Sequence, residues 1–190
     1  MLVLLSNLKI LVCITIMAVL IKVLDDYYDG DYKNIEIIKN LEESLVLYGL
    51  LAFSIACVIE SSLAITFFIS AYIIGMFKDF NRKLTLGLKG YQEGILLIIL
   101  CLVFINPLEV FSSFLIILII DITDDILDFR YDKKYNKKNY VLQFGLGEVL
   151  ITAIILILFT IKLDYVKLIY SLLIFFTLQL IENGGIPKWI

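Results

Sequence analysis

The stretch Asp121-Ile122-Thr123-Asp124-Asp125-Ile126-Leu127-Asp128-Phe129-Arg130-Tyr131-Asp132 follows without a break on the apolar run Phe111 to Ile120. Read as one continuing helix, its acids Asp121, Asp124, Asp125, Asp128 and Asp132 are spaced i, i+3, i+4, i+7 and i+11. At 3.6 residues per turn they share a stripe about 100° wide. Like charges at i and i+4 destabilise a bare helix. Such a stripe calls for a cation, and it stands at the mouth of an apolar helix.

The rest of the chain has the same segregated character. Of 190 residues, 61% are hydrophobic, and the mean hydropathy is +0.97. A soluble domain is about 45–50% apolar. The excess comes in long runs, which predicts an all-α, polytopic integral membrane protein, a single domain over 1–190. Net charge is −3, and no nucleic-acid partner is expected. The first segment carries Lys9 and no small-residue cleavage site, so no cleaved signal peptide is expected. Cys13, Cys57 and Cys101 lie singly in apolar runs and read as buried thiols. Histidine is absent, which removes the commonest general base and zinc ligand. Chemistry here falls to carboxylates, Lys, Arg, Tyr or a bound metal.

Taken in order, residues 1–24 suffice for one span. Residues 45–77 would make a helix about 50 Å long, too long for one crossing, and a turn at Glu60 divides them. Residues 94–120 hold Asn106-Pro107 near their middle, where proline removes a backbone donor. Two further spans, 141–161 and 166–181, are joined by the turn Lys162–Asp164. Charge decides how 94–120 is divided. With two helices there are about seven spans. One side then collects Lys22, Lys33, Lys39, Lys78, Arg82, Lys83, Lys89, Arg130, Lys133, Lys134, Lys137, Lys138 and Lys188. The other side keeps Lys9, Lys162 and Lys167. That asymmetry puts the basic loops and the acidic clusters on the cytoplasmic face. Tyr27, Tyr28, Tyr131, Tyr135 and Trp189 read as interfacial anchors, Glu60 and Glu109 as residues of the outer turns, and Glu148 as a polar contact within the bundle.

A second acidic cluster, Asp25-Asp26-Tyr27-Tyr28-Asp29-Gly30-Asp31-Tyr32-Lys33, ends the first span on that same face. Asp25, Asp26 and Asp29 cover one helical face. Two carboxylate sets without histidine or thiolate are hard oxygen donors suited to Mg²⁺, which keeps several waters and takes substrate phosphates as ligands. Lys78, Arg82, Lys83, Arg130, Lys133 and Lys134 are candidates for phosphate contact. A diphosphate carried on an apolar group would fit such a site.

At these clusters the chain resembles the UbiA-type membrane prenyltransferases. The family's first motif, Asn-Asp-x-x-Asp-x-x-x-Asp, is met by Asp26 and Asp29. Asp25 stands where Asn is usual, and Lys33 where the third Asp is usual. The second motif, Asp-x-x-Asp-x-x-x-Asp with a basic pair after it, is met by Asp121, Asp124 and Asp128 with Lys133 and Lys134. Asn139 through Gly145 loosely echoes the stretch that follows in the family. The resemblance covers about residues 10–147 and includes the basic segment Lys78 to Lys83. Family members usually have nine helices, and the Arg-Pro-rich segment after the first motif is missing here.

The resemblance implies Mg²⁺-dependent transfer of an isoprenoid group from a prenyl diphosphate to a lipophilic acceptor within the membrane. It implies Asp26, Asp29, Asp121, Asp124 and Asp128 as metal ligands, with Asp25, Asp31, Asp125 and Asp132 as further candidates. Lys78, Arg82, Lys83, Arg130 and Lys133 are implied at the diphosphate. The alternatives are a non-catalytic UbiA-like scaffold or a small cation-binding membrane protein or transporter. A CDP-alcohol phosphotransferase would need Asp-Gly-x-x-Ala-Arg, and Asp29-Gly30 is not followed by it.

Overall fold

Asn106-Pro107 divides the chain where proline chemistry demands. The Asn106 side chain accepts a hydrogen bond from the Leu108 amide at 3.0 Å, and Pro107 takes the first helical position, where its missing N–H costs nothing. The computed structural model describes residues 2–29, 44–77, 87–135 and 137–182. Every element described is helical: α1 Leu2–Asp29, α2 Leu45–Ile59, α3 Ser61–Phe77, α4 Gly90–Phe104, α5 Pro107–Leu127, α6 Phe129–Tyr135, α7 Tyr140–Phe144 and α8 Leu146–Glu182.

The other breaks also have local causes. Glu60, extended at φ −154°, ψ 91°, separates α2 from α3. Asp164, at φ −157°, ψ 85°, kinks α8 into two halves. Its Oδ1 accepts from the Lys167 amide at 3.1 Å, so it caps the second half. Glu60, Asn106-Pro107 and Lys162–Asp164 are the turns expected from sequence. Gly145 sits at φ 97°, ψ 151°, a conformation essentially closed to residues with a side chain. Gly145→Ala is expected to cost about 1–3 kcal/mol, read as a lower midpoint of thermal unfolding in detergent micelles.

One expectation fails at the acidic helix. It does not run on to Asp132. Asp128, at φ −91°, ψ 7°, ends α5, and α6 begins at Phe129. Asp132 therefore belongs to a different helix and leaves the stripe.

Helix α5 is central, packing on α3 and α8, while α1 packs on α2, α3 and α8. Cys13, Ile14, Met17, Leu63, Phe67, Ile116 and Ile119 form the buried centre. A hydroxyl pair, Thr66 Oγ1 and Ser113 Oγ at 2.9 Å, ties α3 to α5 inside it. Other polar side chains, among them Ser70, Ser112, Thr160, Ser171 and Gln179, are buried as well. Large apolar side chains are exposed on the helices' outer faces, as with Val58 (88%) and Phe104 (79%). Large apolar side chains exposed in such numbers are unlike a water-soluble surface. Two helices, Leu4–Asp25 and Leu146–Ile181, are long and apolar enough to cross a membrane. Leu45–Ile59, Ser61–Gly75 and Gly90–Phe104 are apolar but shorter, each about 22 Å against a hydrocarbon core of about 30 Å.

Candidate functional site at the convergence of four helix ends

A cavity of about 520 Å³ lies between α1, α3, α5 and the second half of α8. Each helix presents one stripe to it, as helical periodicity requires. On α1 the stripe is Ile14, Ala18, Ile21, Lys22 and Asp25, and on α5 it is Ile117, Ile120, Asp121 and Asp124. Along both, the lining passes from apolar to charged in the direction of the chain. On α8 it passes from Ser171 and Phe175 to Gln179. The C-terminal ends of these helices thus meet at one mouth, where Lys137 and Lys138 also lie. Helix C-termini carry partial negative charge. Added to three carboxylates, this makes the mouth a place for cations.

Asp124 lies past the apolar run that ends at Ile120, and Gln179 donates its amide N–H to Asp124 Oδ1. Lys22, facing Asp124 from α1, and Asp121, Asp125 and Asp128 on or at the end of its own helix are its charged neighbours. A second positive charge at the mouth would favour the ionised form.

The structure splits the acidic stripe in two. Asp121 and Asp124 line the cavity, whereas Asp125 turns away. Asp124 and Asp125 are successive residues about 100° apart around the helix, at the two edges of the stripe. Asp125 Oδ2 accepts from the Tyr140 amide at 2.7 Å, and the Asp125 carbonyl accepts from Asn139 Nδ2 at 2.7 Å. The same Nδ2 donates to Asp132 Oδ2 at 2.8 Å, while Asn139 Oδ1 accepts from the Val141 amide at 2.8 Å. Asn139 is therefore the cap of α7 and the joint between α5, α6 and α7. Asp125 and Asp132, candidates for metal on sequence, serve this joint. Asn139→Ala strips a donor from the buried Asp132 carboxylate and uncaps α7. The expected loss is about 2–4 kcal/mol, measured by thermal unfolding in micelles.

Asp128 ends α5 and is not part of the cavity wall. The first acidic cluster reaches the cavity through Asp25. Asp26 and Asp29 fall in the last turns of α1, but their side chains lie outside the described residues, as do Asp31, Lys33, Lys78, Arg82, Lys83 and Trp189. Arg130 and Lys133 are on the exposed side of α6, Lys133 lying 6.0 Å from the Phe129 ring centre. Among the described residues, the cations that line the cavity are Lys22, Lys137 and Lys138, which the sequence offered only as topology signals. Glu148 is exposed in the first turn of α8, beside Gly145, and is no interior contact.

Mg²⁺ fits the donor type. Asp25, Asp121 and Asp124 supply oxygen only, and no group of three metal-binding side chains is close enough to form a cage among the described residues. Spaced carboxylates of this kind suit an ion whose shell is completed by water and a ligand's phosphates. No known protein family matches the chain, and no curated protein or solved structure is found to resemble it.

Proposed function

We propose that the chain is a polytopic membrane protein that binds a prenyl diphosphate with Mg²⁺ at its cytoplasmic face and transfers the isoprenoid group to a lipophilic acceptor. One observation carries this: carboxylates from both acidic clusters, Asp25 on α1 and Asp121 and Asp124 on α5, line the charged mouth of a cavity whose far end is apolar. The apolar outer surface supports embedding in lipid. The short helices α2, α3 and α4 then cross where loops, or neighbouring bundle helices, complete the thickness. The cation asymmetry of the loops supports the orientation.

Asp25, Asp121 and Asp124 would hold the ion, with Asp26 and Asp29 from the same helix end as α1's contribution. When bound, Mg²⁺ would neutralise charge on the diphosphate. Lys22, Lys137 and Lys138 serve the same end by facing the leaving group as its carbon–oxygen bond breaks. The apolar wall from Ile14, Ala18, Phe67 and Ile117 buries the isoprenoid tail, at about 0.8 kcal/mol per methylene. It also keeps water from the allylic cation until the acceptor's oxygen, nitrogen or carbon adds to it and sheds a proton.

The test is incubation of purified protein with labelled prenyl diphosphates and Mg²⁺, following pyrophosphate release with and without candidate acceptors. Release that needs both Mg²⁺ and an acceptor supports the assignment. One rival is a non-catalytic scaffold of the same architecture, which Lys33 in place of the first motif's third acid favours. Tight binding of prenyl diphosphate without turnover over all acceptors would favour that rival.

A further inference from the structure

A second cavity, about 570 Å³, opens at the other end of the bundle. Leu5 and Lys9 of α1, Glu60, Leu63, Glu109 and Lys167 line it. From Leu5 to Asp25, α1 rises about 30 Å, the thickness of a bilayer's hydrocarbon core. The two cavities therefore stand at opposite interfaces, given the membrane embedding proposed above.

The charges in this second cavity divide into two pairs. Lys167 is buried and committed: its Nζ lies 3.2 Å from Glu109 Oε1 and 3.5 Å from Asp164 Oδ2. Lys9 and Glu60 behave differently. They line the same cavity, yet their charged groups take no hydrogen bond and no ion pair among the described residues. Opposite charges that share a cavity without meeting are matched by a ligand that carries both. A simple anion would face Glu60 and Glu109, and a simple cation would face Lys9 and Lys167. A quaternary ammonium is disfavoured too, because such groups are held by aromatic faces and no aromatic residue lines this cavity among the described residues. A primary ammonium donates hydrogen bonds to a carboxylate directly. Ile10 in the lining and exposed Val12, deeper along α1, offer apolar surface to chains attached to the headgroup.

We infer that this cavity binds the headgroup of an ethanolamine phospholipid, its phosphate on Lys9 and its ammonium on Glu60. The full chain, delipidated in neutral detergent, is presented with an equimolar mixture of dioctanoyl phosphatidylethanolamine, phosphatidylcholine and phosphatidylglycerol, and retained lipid is read by native mass spectrometry. One charge-assisted contact corresponds to a preference of roughly tenfold for the ethanolamine lipid. Glu60→Gln, whose helical content is checked by circular dichroism, is expected to bring the three lipids near parity, whereas Lys9→Gln is expected to lower retention of all three, since each carries the phosphate. Asp124→Asn, in the other cavity, is expected to leave the preference intact, so that failure of the prenyl diphosphate site and failure of this one are told apart. No preference in the wild-type protein overturns the inference, as does a preference that survives Glu60→Gln or a retention that Lys9→Gln leaves unchanged. Equal binding of water-soluble glycerophosphoethanolamine, with no gain from acyl chains, overturns the lipid assignment as well.

Discussion

On the proposed function, Asp124→Ala is expected to abolish Mg²⁺-dependent release of pyrophosphate from prenyl diphosphates, a fall of at least about 100-fold, in a protein that still inserts and keeps its helical content. Asp124 is the acid with the most at stake at the mouth. It lines the cavity, accepts from Gln179, and carries the burial cost of its own charge. Removing it takes away one oxygen ligand and leaves Lys22 facing a less negative wall. Asp125→Ala is the informative control. Asp125 caps α7 through the Tyr140 amide, so its loss should lower the unfolding midpoint while sparing Mg²⁺ dependence. Undiminished turnover in both Asp124→Ala and Asp26→Ala would remove the carboxylate site from the mechanism.

Lys167→Met is expected to destabilise the fold by about 1.5–3 kcal/mol, the range for a hydrogen bond to a charged group, because a buried ammonium is taken from two partly exposed carboxylates. Lys167 joins Glu109, at the start of α5, to Asp164, at the kink of α8. Without it two acids remain at the junction of the helices that hold the cavity. The measurement is unfolding in mixed micelles by denaturant, with the Lys167→Met/Glu109→Gln pair alongside. If Glu109 is the main uncompensated charge, the double variant recovers part of the loss. A loss below about 1 kcal/mol would mean that water reaches the pair and screens it as it screens exposed ones.

Helix breaks in this chain are legible because each has a cause within a few residues. Pro107 lacks a donor, and Glu60 and Asp164 are charged residues flanked by apolar runs. The partition of the acidic stripe is not legible in that way. Asp124 and Asp125 are neighbours of identical chemistry, and what separates them is Asn139, which reaches back to the Asp125 carbonyl from beyond the next helix. Lys167 is equally opaque. It reads only as a cation of the outer side, and its partner Glu109 lies on another helix, far away in sequence. Lys22 did leave a signal. Ile14, Ala18, Ile21, Lys22 and Asp25 follow helical spacing, so a lysine on the same face as an acidic helix end can be found by counting turns.

The hydroxyl pair of Thr66 and Ser113, packed about with Cys13, Ile14, Leu63, Phe67 and Ile116, occupies the level between the two chambers. Ile10 and Leu63 belong to one chamber, while Ile14 and Phe67, a single helical turn further along, belong to the other. In the proposed embedding that one-turn layer would be a dam. It would let a charged vestibule exist on each side of the membrane without opening a leak for protons or salt, the two hydroxyls being held by each other and by the Ser62 carbonyl rather than recruiting water to breach it.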